Sequence, residues 1–129
     1  MSHQLKIELK FSEPKIYRTV IVPEGFNFEQ LHRVVQNCFN WEDYHLYQFN
    51  IGAPYNSVSI KPEDPNDDLF DFFGKRFENF PPEETYLADY FNGQFKKINY
   101  TYDFGDDWLH EIRVLKKPEI EVLYPKCIK

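Results

Sequence analysis

The chain has 129 residues, 42% hydrophobic, 19% aromatic and 28% charged, with a net charge of -6. That length suits one domain that buries a core without staples, and two cysteines, Cys38 and Cys127, are too few for a disulfide framework or a cysteine metal cluster. An acidic chain with no basic run lacks the electrostatic footprint of a phosphate-backbone binder, and no apolar run approaches membrane-spanning length. Reduced thiols, a cytoplasmic location, no membrane and no direct nucleic-acid binding are therefore expected.

The first apolar pattern is Leu5, Ile7, Leu9 and Phe11 alternating with Lys6, Glu8 and Lys10, the period of a strand with one apolar face. Turn residues at 12–15 and the β-branched run from Ile16 to Val22, closed by Pro23, complete an antiparallel hairpin. A helix start follows. Asn27 is suited to cap it, Gln30 to return the bond as a capping box, and Phe26 to staple onto Leu31. Leu31, Val34, Val35, Cys38 and Phe39 then form a buried stripe, which leaves Glu29, Arg33, Gln36 and Asn37 to water and His32 at the boundary.

From His45 to Ile51 the alternation returns, with Leu46 offset from Tyr47, Phe49 and Ile51, so that either Leu46 faces the opposite side or both faces are partly covered, and Gly52 closes the run. The order strand, strand, helix, strand is that of a β-grasp, in which one helix crosses a mixed sheet, so the expected fold is α+β. A further short strand is expected within residues 55–60. Acidity then concentrates, with nine Asp or Glu against three Lys or Arg between Lys61 and Phe91, while the rest of the chain is neutral. We read residues 1–129 as one domain carrying an acidic insertion at 61–91. Within it, 61–68 reads as a solvated loop, Leu69 to Phe73 as one apolar turn, and Pro81 onward as a short element with Leu87, Tyr90 and Phe91 turned inward.

The densest pattern runs from Asn99 to Val114, where two alternating aromatic and apolar runs flank Gly105-Asp106-Asp107 as a β-hairpin. A two-residue loop at Gly105-Asp106 and a three-residue loop from Gly105 to Asp107 both fit. The second gathers Tyr100, Tyr102, Phe104, Trp108, Ile112 and Val114 on one face, with Phe104 opposite Trp108 and Tyr102 opposite His110, and is preferred because it buries the aromatics together. Beyond it, Lys116-Lys117-Pro118 ends the strand and a mixed tail follows.

Several of these pieces together resemble the plasmid pRiA4b ORF-3-like family, also described as insertion-element passenger proteins. The matching residues are Pro14-Lys15-Ile16-Tyr17-Arg18, Leu31-His32, Phe39-Asn40-Trp41, His45-Leu46 with Phe49, and Tyr102-Asp103-Phe104-Gly105-Asp106-Asp107-Trp108 with His110. The resemblance implies a small cytoplasmic protein of plasmids, mobile elements or chromosomes, and it carries over no catalytic residue. Two departures are visible: Tyr17 stands where the family has Trp, and the family continues past Cys127 into a Cys-Pro-Pro-Glu-Asp segment, so a minimal or truncated member is expected.

The polar side chains shared by those stretches define a candidate cluster: Arg18, His32, His45, Asp103, Asp106, Asp107 and His110, with Trp108 among them. Histidine and carboxylate bind divalent metals and move protons, so a metal-assisted hydrolase is one reading. None of the familiar metal spacings is present, and each residue has a structural use: Asp106 and Asp107 in a tight turn, His45 at a strand start, and His110 as a core histidine bonded to Asp103 or a tyrosine oxygen. The favoured expectation is a non-catalytic binding or accessory module with a protein partner and no cofactor. A nucleic-acid accessory is the third reading, and Phe70, Phe72, Phe73, Phe77 and Phe80 in the acidic segment either form a docking surface or pack inward.

Overall fold

Alternation at period two builds the sheet, because successive side chains of a strand turn to opposite faces. β1 (His3–Leu9) and β2 (Ile16–Val22) pair antiparallel from His3↔Val22 to Leu9↔Ile16. The computed structural model describes residues 2–39, 41, 46–51, 58–62, 78–91, 97–103, 108–115, 122 and 124–127. β3 (Tyr47–Ile51), β4 (Val58–Ile60), β5 (Glu78–Phe80), β6 (Lys97–Tyr102), β7 (Trp108–Val114) and β8 (Lys126–Cys127) extend the sheet to eight strands in the order β5-β4-β3-β6-β7-β1-β2-β8. Among the described residues only β4 and β5 pair in parallel, so the sheet is mixed. With α1 (Phe28–Cys38) packed on its core face, the fold is α+β.

The helix begins where the capping residues place it. Asn27 Oδ1 accepts the Gln30 amide and Gln30 Oε1 accepts the Asn27 amide, each at 2.8 Å. Asn27 Nδ2 also donates to the Glu83 carbonyl at 3.2 Å, and the Leu87 amide donates to Phe26 at 3.0 Å. The helix start is thereby stitched to two single-turn 3-10 helices, Pro82–Glu84 and Leu87–Asp89. Phe28, Leu31, Val34 and Val35 join Leu5, Ile7, Val20, Val22, Phe49, Ile98, Tyr100 and Ile112 in one core.

Four expectations are corrected. Gln36 and His32 are buried, because the aromatic strands opposite reach past the aliphatic stripe and cover its flank. Phe11 lies outside the strand, in the left-handed region with φ 63° and 92% exposed, since β1 stops at Leu9. In the C-terminal hairpin, Tyr102 faces Trp108 and Tyr100 faces His110, two residues from the expected pairing, and five residues (103–107) connect the strands. A slip of two leaves every side chain on its own face, so Tyr100, Tyr102, Trp108, Ile112 and Val114 share a face as expected while their partners change, and Phe104 lies outside the described residues. Finally, the tail supplies a strand, with Cys127 opposite Val20 and Lys126 opposite Ile21.

Other expectations hold. Leu46 turns away from Tyr47, Phe49 and Ile51 and is half exposed, and Leu87, Tyr90 and Phe91 pack inward. Asn40, Gly52, the 63–77 stretch with Phe70, Phe72, Phe73 and Phe77, and residues 116–121 lie outside the described residues. Among the described residues, no helix is long and apolar enough to cross a membrane.

Asn27→Ala removes both the cap and the link to Glu83 while leaving the core untouched. We expect a loss of about 1 kcal/mol of unfolding free energy, measured by urea denaturation at pH 7.

Candidate functional site

The C-terminal ends of β1 and β6 and the N-terminal ends of β2, β3 and β7 meet at one end of the sheet, which the end of α1 also reaches. There the chain leaves the helix at Phe39 and turns back, the Trp41 amide donating to the Gln36 carbonyl at 2.9 Å. This turn lays Trp41 across the hairpin, with ring centroids 5.4 Å from Trp108 and 5.6 Å from Tyr102. Phe39 meets His110 edge-on at 5.1 Å, and the Arg18 guanidinium lies 5.5 Å over the Phe39 ring.

His110 sits behind these rings, fully buried. The Trp41 indole N–H donates to its Nε2 at 3.3 Å, and its Nδ1 lies 3.4 Å from the Tyr100 carbonyl. Indole can only donate, so Nε2 is the acceptor and the proton resides on Nδ1, pointed at backbone. Burial drives the pKa down to about 4, against the opposing pull of backbone bonds to Tyr100 and Trp108. At neutral pH the ring is uncharged and both nitrogens are committed.

The second imidazole is held the same way. His32 Nδ1 is 2.7 Å from the Tyr100 hydroxyl, which also accepts from Gln36 Nε2 at 2.8 Å. Its ring stacks on Tyr47 at 3.5 Å and 9°. One hydroxyl thus meets two buried polar side chains from the helix.

Of the candidate residues, the fold gathers Arg18, Trp108 and His110 around Phe39 and Trp41, and it links His32 to them through Tyr100. Arg18 donates to its neighbour's carbonyl, Tyr17 O, at 2.8 Å. Asp103 starts the connection in the left-handed region, φ 63°, with its amide bonded to the Leu46 carbonyl at 3.0 Å. His45, Asp106 and Asp107 lie outside the described residues. Among the described residues, no group of three or more His, Cys, Asp or Glu is placed to hold a metal.

Sequence reasoning missed Tyr100 and Gln36. The signal was present: Gln36 follows His32 by four, so the two share a helix face beside the apolar stripe, and a buried polar pair of that kind needs a hydroxyl opposite. Both cysteines are free. Cys127, exposed on β8 opposite Val20, lies close enough to Cys38 to act on its thiol. Burial pushes the Cys38 thiol up to about 11, Cys127 adding to the rise and Arg18 opposing it.

Comparison with known proteins places the chain among relatives. Residues 1–129 match the family described as plasmid pRiA4b ORF-3-like protein. The chain is similar to the uncharacterized protein y4hQ of Sinorhizobium fredii, 30% identical over 116 residues, which are 86% of this chain and 52% of that protein. It thus spans about half the length of that relative. It is also similar to the crystal structure of a protein of unknown function, MM3350, from Methanosarcina mazei Go1, with a TM-score of 0.79 and 32% identity over 99% of this chain and 67% of the other.

The burial of His110 makes a pH prediction. Its folded pKa lies below its unfolded one of about 6.5, so between those values the unfolded chain binds the extra proton. The contribution is complete above pH 6.5 and lost as pH falls toward 4, by an amount on the order of 3 kcal/mol. Urea melts at pH 7 and pH 5, with NMR titration of the His110 ring, check this. We expect the ring to stay neutral at pH 5 in the folded chain.

Proposed function

Because the chain belongs to the plasmid pRiA4b ORF-3-like family, we propose that it is a small cytoplasmic binding module, accessory to a plasmid or mobile element, that recognises an apolar segment of a protein partner. One observation carries this reading. Phe11, Ile16, Leu46 and Trp108 are exposed large hydrophobic side chains, and all four belong to the same end of the sheet, where Trp41 and Tyr102 back Trp108. Scattered apolar side chains on a surface need no explanation; several at one end, with a tryptophan among them, are the usual make-up of a recognition surface.

The histidines behind that surface support binding over chemistry. A general base or metal ligand needs a free lone pair, and His110 spends its own on the Trp41 indole. The β-β-α-β start with α1 against the sheet supports a β-grasp-like reading in which the helix crosses it. In the same proposal residues 1–129 are one domain and 61–91 an insertion that packs its phenylalanines inward, as Phe80 does.

A photo-crosslinking phenylalanine analogue placed at position 108, or at position 86 at the far end, tests the reading in cells of origin. We expect a discrete crosslinked protein from position 108 that is absent from position 86, and lost when Phe11→Ser and Leu46→Ser are added. Those two changes should alter folding stability by no more than about 0.5 kcal/mol each, because both side chains are exposed. Equal crosslinking from both positions, or none from 108, would refute the proposal.

A further inference from the structure

The sheet face opposite α1 carries a different surface, assembled from residues that no basic run announces. On β1 and β7, Lys6 stands opposite Arg113 and Glu8 opposite Glu111, and with Lys10, Lys15 and Leu115 they line a cleft of about 390 Å³. That size lies within the range of small-molecule sites, roughly 300 to 1,000 Å³. Four cations meet two carboxylates there, in a chain whose net charge is -6.

The carboxylates are already occupied. Glu111, with its side chain 8% exposed, accepts from Arg113 Nε at 2.6 Å and Lys10 Nζ at 3.3 Å, and Lys97 Nζ stands 3.9 Å away. Burial alone would raise its pKa, but the bonds and charges of Arg113 and Lys10 outweigh that and hold it ionised, below the usual range. Glu8 is 3.7 Å from the same Lys10.

The cations are not all used. Arg113 engages Glu111 through Nε, and among the described residues its terminal nitrogens make no hydrogen bond. Lys6 lies over the Tyr17 ring at 4.7 Å, which fixes its position without neutralising it, and Lys15 forms no ion pair among the described residues. A guanidinium fork held from behind by a buried carboxylate, with two further ammonium groups lining the same cleft, suits a multiply charged phosphoryl anion.

We propose that this cleft binds the phosphoryl group of a small molecule, with Arg113 as the fork and Lys6 and Lys15 as flanking charges. A nucleic-acid backbone fits less well, because the acidic chain as a whole would repel a long polyanion and the surplus charge is local. The site is independent of the apolar surface proposed above and lies on the other face of the sheet from α1.

Isothermal titration of the full chain with pyrophosphate at low salt tests the proposal, alongside Arg113→Gln, Lys15→Gln and single-stranded oligonucleotides of increasing length. We expect saturable binding of one pyrophosphate per chain, weakened about tenfold by either substitution. Arg113→Gln also disturbs Glu111, whereas Lys15→Gln breaks no hydrogen bond or ion pair among the described residues, so the second variant reads the site apart from the fold. No saturable pyrophosphate binding, binding indifferent to Lys15→Gln, or affinity found only with oligonucleotides and growing with their length would each overturn it.

Discussion

One phenol holds the helix to the sheet. Tyr100 is fully buried at the centre of β6, between β3 and β7, and its hydroxyl takes Gln36 and His32 from α1 at 2.8 and 2.7 Å. Its ring lies 4.8 Å from Phe49 and 5.2 Å from His110, and its carbonyl faces the His110 Nδ1. Apolar packing alone tolerates rotation and sliding of a helix on a sheet. Directed hydrogen bonds to a buried hydroxyl do not, because any other placement leaves polar atoms unsatisfied in the core. The position of α1 then sets the position of Trp41 at its end, and so the shape of the aromatic end.

The two faces of the sheet are chemically divided. On the helix side, aromatic and imidazole rings fill the space; on the other side, Lys6, Glu8, Lys10, Glu111 and Arg113 form a polar surface with surplus positive charge. Strand alternation produces both from one stretch of sequence, since Lys6 lies between Leu5 and Ile7 and Glu111 between His110 and Ile112. A net-charge count cannot see such a surface. It sums over the acidic segment between Lys61 and Phe91, whereas the cleft draws on β1, the turn after it and β7.

Local signals were the legible ones. The capping box at Asn27 and Gln30, the bounds of β2, the alternation of β3 and the inward turn of Leu87 and Phe91 each depend on residues within one or two turns of chain. What was not legible depends on pairing at a distance. The hairpin register is set jointly by β1, which matches Leu9 to His110 and Ile7 to Ile112, so reasoning from the turn alone found the right face and the wrong partners. The contact between Cys38 and Cys127 requires β8 to dock on β2, and two residues of strand carry too little pattern to announce that. For the candidate site, the sequence marked His32, Trp108 and His110 as belonging together. It could not say that the hydroxyl of Tyr100 and the indole of Trp41 had already claimed the imidazoles.

The claim that Tyr100 is the structural hub is tested most directly by Tyr100→Phe, which deletes one oxygen and keeps the ring. The measurement is the unfolding free energy from urea denaturation at pH 7. Removing the hydroxyl that His32 and Gln36 share predicts a loss of about 1 to 3 kcal/mol. A variant as stable as the parent, within about 0.5 kcal/mol, would contradict the account, because it would mean the buried bonds do not set where the helix lies.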